Sequence, residues 1–330
     1  MDGLRVLDAL TRTLDEGAPL VTPPLCVATR YRSSSCQRCL DVCPAAAVTM
    51  SPWLRVDGDR CLKCGACAAV CRTGALDLTP LRASLRRRFS EMGQAGGAIA
   101  IACRRAALPD EEERPRAVVP CLAALATGDL VAARRLGVDS VSLIHGDCAA
   151  CELGHAVSRG LASLRATAAA LTRAGAVLVM SEDGVPSRAD DCDPQPVHLS
   201  RRGLFAALTG GVGAALGEPG TDVPLHVEEL HVQYDPPRAF SALLADLADL
   251  GASDGGPPTP SAQGLPPASV RVGALCDGCG LCARYCPHAA ITIQERRVVV
   301  DARRCTACAL CAEVCPTEAV TLEPLGSANA

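Results

Sequence analysis

Residues 276–316 read CDGCGLCARYCPHAAITIQERRVVVDARRCTACALCAEVCP. Four cysteines (Cys276, Cys279, Cys282, Cys286) stand at the spacing C-x-x-C-x-x-C-x-x-x-C-P. The run returns at Cys305, Cys308, Cys311 and Cys315, and Pro287 and Pro316 follow the two fourth cysteines. Three thiols on one tight loop reach three corners of a compact group, and a distant fourth closes it. Small residues such as Gly278, Gly280 and Ala307 let the backbone approach closely. Short strands are expected where Ala-Ile-Thr-Ile (290–293) and Ala-Val-Thr-Leu (319–322) follow one helical turn. The same module is found near the other end. Cys43-Pro44, Ala47 to Met50 and Arg60-Cys61 match Cys286-Pro287, Ala290 to Ile293 and Arg304-Cys305, and CLKCGACAAVC matches CTACALCAEVC. This is an internal repeat.

The C-terminal copy resembles the bacterial dicluster ferredoxin family, in which the fourth cysteine of each run binds the other cluster. That resemblance implies two 4Fe-4S clusters. One takes Cys276, Cys279, Cys282 and Cys315, and the other takes Cys305, Cys308, Cys311 and Cys286. Zinc sites pair two C-x-x-C knuckles instead of running four cysteines at this spacing. Disulfides need an oxidising compartment. Met1 to Ala18 carries acids and no apolar run, so no secretory signal is expected.

In the N-terminal copy Cys61, Cys64, Cys67 and Cys71 are complete, with Arg72 where proline stands elsewhere. The first run keeps Cys36, Cys39 and Cys43 but has Ser33 in its first position. One site is therefore Cys61, Cys64, Cys67 and Cys43. The other holds Cys36, Cys39 and Cys71 and lacks a ligand. Three readings compete. Cys26 folds back as the fourth ligand, the site holds a three-iron cluster, or Ser33 ligates as an alkoxide. Cys26 is preferred here; its bland alternative is an ordinary buried thiol.

Residues 97–180 alternate strand and helix. Strands are expected at Ala98–Ala102, Ser140–Ile144 and Ala176–Met180, and helices at Leu122–Leu136 and Gly154–Ala174. The pattern predicts a small α/β domain with a parallel sheet. Its cysteines (Cys103, Cys121, Cys148, Cys151) fall at or beyond strand ends, where such sheets place their sites. Cys103, Val119-Pro120-Cys121 and Gly146-Asp147-Cys148 resemble the delta subunit of methyl-viologen-reducing hydrogenase. That resemblance implies a 2Fe-2S cluster and electron transfer between partner subunits. A Cys148/Cys151 thiol–disulfide pair and a zinc site are the alternatives. His145 reads as a residue behind the ligands and not as a ligand.

Ser200-Arg201-Arg202-Gly203-Leu204-Phe205 looks like an export motif but lies two hundred residues in, and is read as the start of a helix. Residues 210–220 read as a loop or a frayed helix end, 239–250 as an amphipathic helix and 251–268 as a linker. Cys192 reads as a non-ligand.

The expected fold class is thus α+β multidomain, with two ferredoxin-like 4Fe-4S modules flanking a small α/β parallel-sheet domain. The boundaries are 1–90, 95–200, 201–268 (helix and linker) and 269–330. Formal charge is −4, which gives no bias toward nucleic acid. Aromatics make up only 2% of the chain, so aliphatic side chains must fill the core. No apolar stretch approaches the roughly 20 residues of a transmembrane helix. No nucleotide fingerprint, nucleophile–base pair or H-E-x-x-H is present among the motifs. The reading is an iron–sulfur electron-transfer protein, an oxidoreductase subunit more than an independent enzyme. It would be cytoplasmic or peripheral to a membrane complex. The expected path enters one ferredoxin module, crosses the middle domain and leaves at the other. Expected partners are a hydrogenase, a formate dehydrogenase or a heterodisulfide-reductase-like subunit.

Overall fold

The computed structural model describes residues 19–95, 97–106, 116–173, 178–184, 232–253 and 268–324. The expectations for Cys192, for 200–205, for 210–220 and for most of the 251–268 linker lie outside these residues.

The N-terminal module runs β1 (Leu20–Val21), α1 (Val27–Arg30), α2 (Arg38–Val42), β2 (Val48–Thr49), β3 (Arg55–Val56), α3 (Ala66–Val70) and β4 (Leu76–Asp77). Its first and last strands pair antiparallel, Leu20 opposite Asp77, and β2 and β3 form a central hairpin. A long helix, α4 (Thr79–Gln94), leaves the module with Pro80 in its first turn. Leu81, Leu85 and Phe89, four residues apart, form its buried stripe.

Next come β5 (Ala98–Cys103), β6 (Arg116–Val119), α5 (Thr127–Arg135), β7 (Ser140–His145), α6 (Gly154–Arg173) and β8 (Val179–Gly184). The four strands form one parallel sheet in the order β6-β5-β7-β8. The strand predicted at 176–180 begins instead at Val179. The helix predicted over Leu122–Leu136 is divided into a 3-10 turn, Leu122–Ala124, and α5. The Ala126 N–H donates to Asp129 Oδ2 at 2.8 Å and starts the second helix there. Asp129 also pairs with Arg82 of α4 at 2.8 Å.

Residues 232–237 form an extended strap that leads into α7 (Arg238–Ser253). The Tyr234 N–H donates to Pro287 O at 2.7 Å, and Gln233 Nε2 donates to Ala283 O at 3.2 Å. Pro237 packs so closely on Gly74 that a Cβ there would lie 2.6 Å from its Cγ. Asp246 of α7 is buried and takes both arms of Arg86, at 2.5 and 3.0 Å, while Asp249 pairs with Arg135 at 2.8 Å. The strap and α7 thereby fasten the C-terminal module, the N-terminal module and the sheet domain.

The C-terminal module repeats the N-terminal plan with β9 (Ala268–Val272), α8 (Leu281–Tyr285), β10 (Ile291–Gln294), β11 (Arg297–Val300), α9 (Leu310–Glu313) and β12 (Val320–Pro324). Strands β9 and β12 pair antiparallel, and β10 and β11 form the hairpin. One difference stands out. The C-terminal copy passes straight from β9 into the Cys276 loop. The N-terminal copy inserts a 3-10 turn (Pro23–Leu25) and α1 before Cys36.

One continuous core joins Leu25 and Leu76 of the N-terminal module, Phe89 of α4, Ile101 and Leu143 of the sheet, and Leu243 of α7. The C-terminal module has its own core around Cys282, Ile291, Cys311 and Val320. The two ferredoxin-type modules also touch directly. Val27 meets Leu310 and Val314, and the Tyr31 and Tyr285 rings stand edge to face with centroids 5.9 Å apart. Ser35 Oγ donates to Glu313 Oε1 at 2.8 Å across the same seam. Among the described residues no helix is long and apolar enough to cross a membrane.

The shared core has a measurable consequence. Phe89→Ala is expected to lower stability by about 3–5 kcal/mol. The N-terminal module and the sheet domain should still unfold together in one urea transition, read by far-UV circular dichroism. Two separated transitions would contradict a common core.

Candidate iron–sulfur ligand sites

All twenty described cysteines are free thiols. The three complete C-x-x-C-x-x-C loops share one backbone device. The residue before the second cysteine and the residue after it both have positive φ. The pairs are Lys63 and Gly65, Gly278 and Gly280, Ala307 and Ala309, all between 53° and 81°. The third residue after each fourth cysteine repeats this at Ala46, Gly74, Ala289 and Glu318. Left-handed residues among right-handed ones turn successive N–H groups inward and form concavities that suit anions and iron–sulfur groups. At Gly65 the requirement is double. Its φ is +76°, and a Cβ would lie 2.6 Å from Leu78 Cδ1 and 2.8 Å from Ala124 Cβ. The loop carrying Cys64 is thus pressed against the turn that follows Cys121.

Cys43, Cys61, Cys64 and Cys67 line one concavity, and the Ala47 N–H donates to Cys43 Sγ at 3.3 Å. The same bond recurs from Ala290 N–H to Cys286 Sγ at 3.3 Å. Cys286, Cys305, Cys308 and Cys311 lie within Coulombic reach of one another, and so do Cys276, Cys279 and Cys282. Cys315 packs on the same small core as Cys282. Burial acts to raise the Cys315 thiol, but the Thr317 hydroxyl and nearby N–H groups outweigh it and hold its pKa below the ordinary value.

The damaged run is built differently. Cys36 and Cys39 flank the start of α2, and no left-handed pair lies between them. Cys26 caps α1, is buried, and lies within Coulombic reach of Cys39 and Cys71. Its Sγ sits 3.9 Å from Met50 Sδ. Ser33 is exposed.

In the sheet domain Cys103, Cys121, Cys148 and Cys151 line a single concavity at the C-terminal ends of β5, β6 and β7. Asp147 Oδ1 accepts the N–H groups of Ala149 and Ala150, at 3.0 and 3.2 Å, and shapes the loop between the last two. Arg105 Nη1 donates to Cys151 Sγ at 3.3 Å. His145 Nδ1 stands 2.8 Å from Gly146 O and 3.6 Å from Cys148 Sγ. Sequence reasoning gave no role to Arg105, because nothing in its spacing marks it.

Neighbouring sites also meet. Cys64 lies within Coulombic reach of Cys121, Cys39 of Cys67, and Cys282 of Cys311. Cys36 and Cys308 pack on one apolar cluster at the seam. The sheet-domain cysteines therefore stand beside the N-terminal module, through Cys121 and Cys64. Among the described residues no three His, Cys, Asp or Glu side chains gather closely enough for one metal ion.

Burial pushes Cys39, Cys121, Cys308 and Cys311 up to about 12 as free thiols. An acid whose pKa is raised by folding stays neutral while the unfolded chain ionises. The iron-free protein should therefore lose stability as pH rises from about 9 to about 12, with no such loss below pH 8. Urea midpoints measured across that range test it, and a flat profile would contradict the burial.

Residues 34–80 and 275–319 each match the 4Fe-4S dicluster domain family. No curated protein and no solved structure matches the chain. The chain carries two 4Fe-4S dicluster domains, which mark it as an iron–sulfur electron-transfer protein.

Proposed function

We propose that the chain is a relay that passes single electrons between partner oxidoreductases through five cysteine sites in single file. The file runs Cys103/Cys121/Cys148/Cys151, Cys43/Cys61/Cys64/Cys67, Cys26/Cys36/Cys39/Cys71, Cys286/Cys305/Cys308/Cys311 and Cys276/Cys279/Cys282/Cys315. The observation that carries it is the succession of neighbours Cys121–Cys64, Cys67–Cys39, Cys36–Cys308 and Cys311–Cys282. A bound cluster supplies a one-electron carrier that four thiolates saturate. The residues of the chain hold it, turn N–H groups toward its sulfur atoms and keep water from most of it. Cys279 is the one exposed thiol among those described, which supports the last site of the file as a docking point for a partner.

The four sites of the repeat would hold 4Fe-4S clusters, with Cys26 as the fourth ligand beside Cys36, Cys39 and Cys71. The burial of Cys26 beside Cys39 and the exposure of Ser33 support this choice. The sheet-domain site would hold a 2Fe-2S cluster, on the resemblance to the hydrogenase delta subunit. The same resemblance supports partners of the hydrogenase, formate dehydrogenase or heterodisulfide-reductase kind. A catalytic Cys148/Cys151 dithiol would favour a thiol of lowered pKa. Burial and the neighbouring thiols Cys103 and Cys151 instead raise Cys148.

Iron and acid-labile sulfide per chain, after anaerobic purification, test the reading. Roughly eighteen iron atoms are expected, and near-zero iron with zinc present would overturn it. Cys148→Ala is expected to remove about two of them. Unchanged iron with lost turnover would favour the dithiol. Cys26→Ala is expected to remove about one iron and give the paramagnetic signal of an oxidised three-iron cluster. An unaltered count and spectrum would return Cys26 to the role of a buried thiol.

A further inference from the structure

Arg30 ends α1, the helix that Cys26 begins, and only 4% of it is exposed. Its guanidinium donates to three carbonyls from three separate pieces of chain. Nε reaches Pro24 O at 2.6 Å, Nη1 reaches Tyr285 O of the C-terminal module at 3.4 Å, and Nη2 reaches Val232 O of the strap. The ion pairs among the described residues do not include it. A guanidinium keeps its charge, and burial makes that charge costly. The groups facing it that can become anionic are Tyr234, Cys286 and Cys308. A cluster held there would place fixed negative charge beside it.

Arg72 closes the rim of the same seam. It occupies the place that Pro44, Pro287 and Pro316 hold in the other three runs. A proline there could donate no side-chain hydrogen bond. Arg72 Nη1 donates to Ala307 O at 2.7 Å, the carbonyl between Cys305 and Cys308, and its charge faces Arg38 as well as Cys308 and Cys36.

We propose that Arg30 and Arg72 form a charge clasp between the two ferredoxin-type modules, closed when the cysteines facing it hold a cluster and loosened when they do not. The proposal rests on the reading of Cys286, Cys305, Cys308 and Cys311 as a cluster site. The clasp positions the two modules, and its charges favour the more negative, reduced state of the facing clusters. Cluster loading and module docking then strengthen each other by the same factor.

Hydrogen exchange and potentiometry on the full chain test the clasp. In the wild type, iron removal is expected to speed exchange in peptides covering 24–31 and 305–311 by roughly tenfold, the free energy of one hydrogen bond to a charged group. In loaded Arg72→Ala, on the exposed rim, iron should stay complete while exchange at 305–311 quickens. The midpoint of a cluster at the seam should move to a more negative value. Arg72→Lys should keep the wild-type midpoint, which a merely structural role would not require. Arg30→Gln should show the same shifts more strongly. Loaded Arg72→Ala with unaltered exchange and midpoints would overturn the clasp alone. An iron-free Cys286/Cys305/Cys308/Cys311 site in the wild type would overturn the relay reading as well.

Discussion

Concentrating sulfur ligands is the constraint to which the rest of the structure answers. Four thiolates around one group repel each other. The backbone answers first. Left-handed residues between and after the cysteines turn N–H groups toward sulfur, as the Ala47 and Ala290 bonds illustrate. A positive side chain answers second, at Arg105, which donates to Cys151 Sγ. Burial answers third. It keeps water away but makes an unloaded thiol reluctant to ionise.

The two copies of the repeat solve this with the same strand pairing and different surroundings. In the C-terminal copy the loop from Cys276 to Cys282 opens on solvent at Cys279, while Thr306 and Ala307 of the other loop are buried. In the N-terminal copy the loop carrying Cys64 is walled by the sheet domain, with Gly65 in contact with Leu78 and Ala124. The insertion of α1 is the other divergence. It replaces a cysteine loop by a helix that begins with Cys26 and ends with Arg30, so the segment that brings a thiol to one module also reaches the other.

Much of this was legible in the sequence. Spacing alone identifies the cysteine loops, and small residues mark most of the left-handed positions. Lys63 and Glu318 are exceptions, adopting the same conformation without the composition that announces it. The alternation of apolar runs gives the parallel sheet, because β5 (AIAIAC) is buried along most of its length. The break at Leu125-Ala126 was not legible, since apolar spacing continues through it. Only the hydrogen bond from the Ala126 N–H to Asp129 sets the new start. The seam between the modules was likewise invisible. Arg30 and Tyr285 are far apart in the chain, and a contact between a guanidinium and a carbonyl leaves no periodic trace. For the same reason the closeness of Cys121 to Cys64 could not be read.

Duplication has left the two copies with unequal independence. The C-terminal copy encloses its own apolar centre, Ile291 and Val320 between its two small sheets. The N-terminal copy shares Leu25, Leu76 and Leu78 with a helix and a sheet that lie beyond it. Cut from its neighbours, the first would keep its own apolar centre, whereas the second would turn Leu25, Leu76 and Leu78 toward water.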